Sequence, residues 1–132
     1  MSQCNKSVAN KPTSLQIGNA AESLACDYLQ QRGLKLISRN YRAPYGELDL
    51  IMQDHDHMVF VEVRFRRHTR YGSGADSVTA SKQDKLIKTA LYYLQQHPKQ
   101  AKQPVRFDVV SLSTVEERSD IEWIKDAFQA EC

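Results

Sequence analysis

The chain has 132 residues with ordinary proportions of hydrophobic (41%) and charged (26%) residues and a net charge of +2, which suits one globular domain with a core of its own. Its three cysteines (Cys4, Cys26 and Cys132) are odd in number and widely spaced, which argues against a disulfide framework or a zinc ribbon and fits a reducing cytoplasm. The polar N-terminus lacks the apolar segment of a signal peptide, and no apolar run approaches the ~20 residues of a membrane span, so we expect a soluble cytoplasmic protein with no membrane partner.

The first part of the chain predicts a flexible leader, a helix and a strand. Residues 1–13 are polar and form the leader, and residues 14–132 form a single domain. From Ser14 onward apolar residues recur at helical spacing, and Gly33 provides a C-terminal cap. The sequence LKLIS (34–38) predicts the first strand, and NYRAPYG (40–46) predicts a loop because it contains proline and glycine.

The middle and end of the chain predict three more strands and a second helix. Strands are expected at about 47–53 and 58–66, joined by the turn DHDH, and a Gly/Ser-rich loop follows at 67–77. A helix is expected from about Thr79 to His97, with a buried stripe of Leu86, Ile87, Ala90, Leu91 and Leu94. VRFDVVSL (105–112) predicts a strand, and IEWIKDAF predicts a short strand with a helical turn. The order αβββαβ indicates an α/β sandwich, with a central mixed sheet flanked by helices.

The DHDH turn fixes which residues face each other in the predicted hairpin. Gln53 faces Met58, and continuing the register places Asp49 opposite Glu62 and Glu47 opposite Arg64. Two like charges at opposed positions destabilise a strand pair, whereas a divalent cation between them, such as Mg²⁺, would reverse that effect. The register also puts Leu48, Leu50 and Met52 on one face, with Ile51, Met58 and Phe60 beside the acids. A solvated sheet face with surface ion pairs is the alternative that the spacing leaves open.

Basic residues are concentrated in one segment. Residues 63–107 contain ten Lys/Arg and two acidic residues, a net charge of +8, whereas residues 108–132 have two basic and seven acidic residues, a net charge of −5. Such a basic block indicates an anionic partner, with nucleic acid as the leading candidate. Solubility alone is the simpler explanation of these charges when composition is the only evidence.

These motifs resemble a known family. GELDLI, a turn, and VFVEVR are similar to the strand pair of the PD-(D/E)XK nuclease superfamily. More closely, the chain resembles the YraN family of restriction-endonuclease-like bacterial proteins, on the following stretches, which lie within residues 17–128 in matching order: GNAAESLACDYLQQRGL, NYRAPYGELDLI, VFVEVRFRR, SVTASKQDKLIKTALYYL, VRFDVV and IEWIKDAF. The resemblance implies a restriction-endonuclease-like fold and Mg²⁺- or Mn²⁺-dependent hydrolysis of DNA phosphodiesters, with branched or damaged DNA among the candidate substrates.

The resemblance also assigns roles to individual residues. Asp49 and Glu62 would hold the metal, and Glu22 on the first helix would be an additional acid near it. Arg64 stands where the superfamily usually has a lysine; arginine cannot act as a base, but it can hold a phosphate oxygen. The residues expected to follow the nucleic-acid backbone are Arg64, Arg66, Arg67, Arg70, Lys82, Lys85 and Lys88.

Two further interpretations remain open from the sequence. One is a non-catalytic nucleic-acid-binding protein that keeps the nuclease fold, because Arg64 has replaced the lysine. The other is an interaction protein whose acidic C-terminal segment docks a partner. The sequence is compatible with a homodimer and with either DNA or RNA as the partner.

Overall fold

A computed structural model describes residues 14–66, 78–115 and 118–129. Within these residues one mixed five-stranded sheet carries a long helix on each face. The elements are α1 (Ser14–Gln31), β1 (Lys35–Ala43), β2 (Gly46–Asp54), β3 (His57–Arg66), α2 (Ala80–Gln96), a 3₁₀ turn (Gln100–Lys102), β4 (Val105–Val115) and β5 (Arg118–Phe128). The strand order is β1-β2-β3-β4-β5, in which only β3 and β4 run parallel. The predicted leader (1–13) and loop (67–77) lie outside the described residues.

Two apolar clusters lie on opposite faces of the sheet, which confirms the predicted sandwich. The α1-side core comprises Ala21, Ala25, Cys26, Leu29, Leu34, Leu50, Met52, Val59, Val61, Val110 and Leu112. The α2-side core comprises Leu48, Ile51, Met58, Phe60, Val78, Leu86, Ala90, Tyr93, Phe107 and Val109. The sheet is therefore apolar on both faces, as expected for parallel strands that are covered on both sides. Neither described helix is long and apolar enough to cross a membrane.

The end of α1 follows the sequence prediction. Gly33 has a φ of 100°, and its N–H donates to the Gln30 carbonyl at 3.1 Å, while the Leu34 N–H donates to the Leu29 carbonyl at 3.1 Å. These two bonds form a Schellman motif, which a residue with a positive φ closes most easily when it is glycine. Leu34 then enters the α1-side core, so the chain turns back onto the sheet.

The segment 40–46 is not the loop that its composition predicts. β1 continues to Ala43, paired with Gly46, so the connection to β2 is only the two residues Pro44 and Tyr45. Gly46 has a φ of 154°, and a Cβ there would lie 3.3 Å from Thr89 Oγ1 on α2. The hairpin ladder extends the strand despite the nearby proline, and Gly46 brings β2 close to α2.

The register of the β2–β3 hairpin is as predicted, but its ladder ends early. Gln53 pairs with Met58, and His55 and Asp56 form the turn. Counted from the turn, the last β2–β3 pair is Leu50–Val61. The β1–β2 and β3–β4 ladders both continue past these residues. β2 and β3 are therefore separate on the N-terminal side of Leu50, and Asp49 and Glu62 meet across this gap instead of forming a regular opposed pair.

Two predicted side-chain orientations in this region are wrong. Leu48 packs in the α2-side core, whereas Leu50 packs in the α1-side core, so the strand alternation breaks at Asp49 where β2 leaves β3. Glu47 does not pair with Arg64; its carboxylate accepts a hydrogen bond from Arg42 Nε at 2.9 Å, across the β1–β2 ladder. The remaining apolar residues of the hairpin face as predicted.

α2 begins and ends as predicted, but its buried face is rotated slightly. Thr79 caps it, with its side chain accepting from the Lys82 N–H at 3.2 Å. Leu86, Thr89, Ala90 and Tyr93 are buried, whereas Leu91 is 51% exposed, which corrects the expected stripe. Thr89 is accommodated because its hydroxyl donates to the Lys85 carbonyl at 2.8 Å.

The C-terminal segment forms a complete strand, and the expected helical turn is absent from the described residues. Phe107 pairs with Phe128 and Val109 with Ile124, so β5 contains a bulge opposite Asp108. The buried Asp108 carboxylate accepts hydrogen bonds from the Arg106 side chain, Trp123 Nε1 and the Asp126 N–H, each at 2.9 Å. Because β5 supplies two of these donors, Trp123 and Asp126, deleting the acidic segment would remove part of the sheet as well as any docking surface.

Candidate active site

Asp49 lies where β2 and β3 separate. The Val63 N–H, which has no strand partner at this point of the β2–β3 ladder, donates to Asp49 Oδ2 at 2.9 Å. Burial, together with the nearby Glu62 carboxyl group, raises the pKa of Asp49 to about 8. Two carboxyl groups in one partly dehydrated gap favour a bound proton or a bound cation.

Glu62 lies beside Asp49 and is contacted by two cationic side chains. Lys82 Nζ is 3.0 Å and Arg64 Nη1 is 3.3 Å from Glu62 Oε2. The Glu62 side chain is only 5% exposed, whereas those of Lys82 and Arg64 are 43% and 31% exposed. The two cations therefore cover a buried carboxylate and keep their own outer surfaces towards solvent.

Glu22 reaches the same region from α1. Its side chain lies 3.8 Å from Arg39 on β1, and the Asn40 amide nitrogen lies 2.9 Å from Glu22 Oε1 in the orientation that satisfies both groups. Burial raises the pKa of Glu22, opposed by Arg39 and by hydrogen bonds from Asn40 and Asp49. The structure thus brings Glu22 next to Asp49, and its role as an additional metal-site acid stays a prediction.

An open cleft of about 340 Å³ lies over the acid pair, and we call it the acid cleft. Its lining residues are Gly46, Glu47, Asp49, Glu62, Thr79, Ser81, Lys82, Lys85 and Leu86. Among the residues that the structure describes, no group of three or more His, Cys, Asp or Glu side chains is arranged to hold a metal ion. A pair of carboxylates nevertheless fits Mg²⁺, which proteins commonly bind through one or two carboxylates together with substrate phosphates and water.

The predicted basic residues separate into three groups. Lys82 and Lys85 line the acid cleft, and Arg64 contacts Glu62. Lys88 lies one turn beyond Lys85, where its ammonium group pairs with Asp84 at 3.0 Å, and Arg66 follows Arg64 on β3. Arg67 and Arg70 lie outside the described residues.

Several residues that build the site are not among those predicted from the sequence. Thr79 caps α2 and so sets the direction in which Lys82 leaves the helix, and a threonine just before a helical pattern was the available signal. Arg39 and Asn40 hold Glu22, but they lie in a segment expected to be strand end and loop. Asn40 has a φ of 54°, a left-handed conformation that asparagine tolerates better than most residues.

Sequence comparison assigns the chain to a family. The profile of the uncharacterised protein family UPF0102 matches residues 21–112, a span that includes the acid pair and the start of α2. The chain belongs to UPF0102. This is the YraN family that its motifs resemble, so that prediction is confirmed.

Individual UPF0102 relatives match along almost their entire length. A UPF0102 protein of Nitrosococcus oceani is 48% identical over 114 residues, covering 86% of this chain and 92% of the relative. One from Stutzerimonas stutzeri is 49% identical over 113 residues, covering 86% and 94%. One from Pseudomonas aeruginosa is 42% identical over 125 residues, covering 93% and 100%. The similarity thus extends well beyond the acid pair, over most of the chain.

A solved structure shows a more distant similarity. The structure of Pyrococcus furiosus SfsA in complex with Ca²⁺ aligns with 82% of this chain and 62% of its own chain, at 18% sequence identity and a TM-score of 0.35.

Proposed function

We propose that this UPF0102 protein is a metal-dependent nuclease that hydrolyses DNA phosphodiester bonds, with branched or damaged DNA as candidate substrates. The observation that carries the proposal is the meeting of Asp49 and Glu62 in the gap between β2 and β3. The acid pair and Lys82 line one open cleft, and Arg64 contacts Glu62. These groups provide the charges needed to hold a divalent cation together with a phosphate.

The proposed metal ligands are Asp49 and Glu62, with Mg²⁺ or Mn²⁺ as the ion and Glu22 as a further acid near it. When bound, such an ion supplies a Lewis acid that polarises the phosphate and acidifies water. Asp49 is held in place by the Val63 N–H, and Glu62 by the cations that contact it. Both carboxyl groups are thus positioned by the fold before any ligand arrives.

Cationic side chains would position the phosphate. The guanidinium group of Arg64 can donate two hydrogen bonds to non-bridging oxygens and stabilise the charge that develops as water attacks phosphorus and the P–O bond to the leaving group breaks. Lys82 brings an ammonium group to the acid pair from α2, so a lysine of the kind that the superfamily usually has on the strand is available here from the helix. Lys85, Lys88 and Arg66 would extend contact along the backbone without selecting a sequence.

A cleavage assay with matched variants tests the proposal. Wild-type protein should cut branched, nicked or single-stranded DNA with Mg²⁺ or Mn²⁺ and not with EDTA. Glu62→Gln should lose at least about 100-fold in rate, because a charged metal ligand is replaced by a neutral one. Glu47→Gln is the matched control, since Glu47 lines the same cleft but pairs with Arg42. Equal cleavage by wild type and Glu62→Gln would contradict the proposed site.

A second candidate function is non-catalytic nucleic-acid binding by the same surface. The observation that favours it is the direct contact of Lys82 and Arg64 with Glu62, which already neutralises one of the acids. This alternative predicts salt-sensitive binding that persists in EDTA and no strand scission with any divalent ion. Measuring binding and cleavage on the same DNA distinguishes the two functions.

A further inference from the structure

A second cavity, of about 250 Å³, lies beyond the acid cleft along α2. Its lining residues are Tyr45, Lys88, Leu91, Tyr92 and Gln95, and we call it the tyrosine cavity. Tyr45 comes from the two-residue β1–β2 turn, and the other four residues come from the C-terminal half of α2. The rings of Tyr45 and Tyr92 meet edge to face, with centroids 6.3 Å apart.

The apolar groups of this cavity are open to solvent. Tyr45 is 53% exposed and Leu91 is 51% exposed, whereas the neighbouring Tyr93 is buried in the α2-side core. Tyr92 therefore does not complete the core; it lies against a tyrosine that itself projects from a tight turn. Large aromatic and aliphatic side chains in contact at an open surface are typical of binding sites.

The tyrosine cavity continues the wall of the acid cleft. Gly46 lines the acid cleft, and the preceding residue, Tyr45, lines the tyrosine cavity. On α2, Lys85 lines the acid cleft and Lys88 lines the tyrosine cavity, so each of the two cavities has a lysine in its wall. From Lys82 to Tyr92 the helix rises roughly 15 Å, which equals about four nucleotides of a stacked strand.

We propose that Tyr45 and Tyr92 bind an unpaired nucleobase, so that the preferred ligand of this surface is a single-stranded segment of nucleic acid adjoining the phosphate in the acid cleft. The inference rests on the proposed function for the placement of that phosphate. Aromatic rings beside lysines match a strand whose bases stack and whose phosphates carry charge, as in proteins that bind single strands without sequence preference. In base-paired DNA the bases stay stacked within the duplex, so only the base edges are accessible to the tyrosine rings.

Binding to oligonucleotides with and without bases tests this assignment directly. Fluorescence anisotropy in EDTA at low salt compares a single-stranded oligothymidylate with an abasic oligonucleotide that has the same number of phosphates. Wild-type protein should bind the oligothymidylate roughly 5- to 150-fold more tightly, the range that single-base stacking gives. The double variant Tyr45→Ala/Tyr92→Ala should lose this preference and keep its affinity for the abasic strand.

The conservative variant separates stacking from folding. Tyr45→Phe/Tyr92→Phe keeps both rings and should keep the preference for the strand with bases. Equal binding of the two oligonucleotides by wild type would overturn the proposal, as would an alanine variant that keeps the preference or loses both affinities alike. Because no divalent ion is present, this outcome is independent of cleavage, whose failure with Mg²⁺ would count against the nuclease and not against the tyrosines.

Discussion

Lys82 and Glu62 form an ion pair, with Nζ 3.0 Å from Oε2, that links the first turn of α2 to the middle of β3. Arg64 contacts the same carboxylate oxygen at 3.3 Å, so a single buried acid organises two cations at the acid cleft. The cap by Thr79 fixes the start of the helix from which Lys82 projects. The site therefore depends on a contact between two elements that the sequence separates by about twenty residues.

Replacing Lys82 by methionine should weaken both stability and function. Glu62 would keep Arg64 but lose its closer cation, so unfolding should become easier by about 1–2 kcal/mol, less than for a fully buried pair because Lys82 is partly exposed. DNA cleavage should fall by about 100-fold. Lys85→Met is the control, because it removes the same charge from the same cleft while leaving the described Glu62 ion pairs in place. Equal effects of the two variants, measured by urea unfolding and by cleavage, would contradict a special role for Lys82.

Replacing Arg64 by lysine tests whether arginine is part of a working phosphate clamp. Lysine keeps the charge but not the paired, planar donors, so one charge-assisted hydrogen bond is lost. We expect cleavage to fall roughly 10-fold, as the loss of about 1.5 kcal/mol predicts. Faster cleavage by Arg64→Lys would indicate instead that arginine has impaired an older lysine-dependent site.

The Asp49→Asn variant should change how stability depends on pH in the absence of metal. The pKa of Asp49 is raised from 3.8 to about 8 in the folded protein, so the native state keeps its proton while the unfolded state loses it. Wild-type stability is thus penalised progressively as pH rises between these values, by up to about 1.4 kcal/mol per pH unit. Asparagine does not titrate and can still accept from Val63.

Urea unfolding in EDTA at a series of pH values measures this effect. The stability of Asp49→Asn relative to wild type should increase from about pH 4 to about pH 8 and level off above the folded pKa. A difference that stays constant across this range would show that Asp49 does not hold its proton in the native protein.

Much of the fold could be predicted from local sequence patterns, because the features concerned depend on residues that are close together in the chain. The two-residue turn at His55 and Asp56 sets the β2–β3 register, and Gly33 ends α1 through its own backbone conformation. Both signals depend only on residues within a few positions. Extending that register towards Asp49 and Glu62 was enough to predict that the two acids lie together, although the regular ladder ends one pair earlier, at Leu50–Val61.

The features that the sequence did not predict depend on distant partners. β1 runs through Arg42 and Ala43 because β2 pairs with it, and β5 forms because Asp108 holds its bulge from β4. The early end of the β2–β3 ladder turns Leu48 towards α2, against simple alternation. Likewise, Leu91 is exposed because Thr89 and Tyr93 occupy the buried face of α2.

Asp108 should be important for stability and not for chemistry. It is fully buried and accepts hydrogen bonds from Arg106, Trp123 and the Asp126 backbone. Asp108→Ala removes the acceptor of Trp123 Nε1 and of the Asp126 N–H and leaves Arg106 paired with Asp54 alone, so we expect a loss of at least about 3 kcal/mol in the free energy of unfolding. Asp120→Ala, an exposed position on β5, is the control. A loss below about 0.5 kcal/mol, within the usual range for surface changes, would contradict the structural role.

Metal binding by the acid pair is the measurement that tests the central claim most directly. Isothermal calorimetry with Mn²⁺ should be run on wild type, Asp49→Asn and Glu47→Gln, each with and without a bound oligonucleotide whose phosphates can complete the site. We predict a specific site in wild type and in Glu47→Gln that is lost in Asp49→Asn. Wild-type protein that binds no Mn²⁺ under either condition, or binding that survives in Asp49→Asn, would show that Asp49 and Glu62 do not form a metal site.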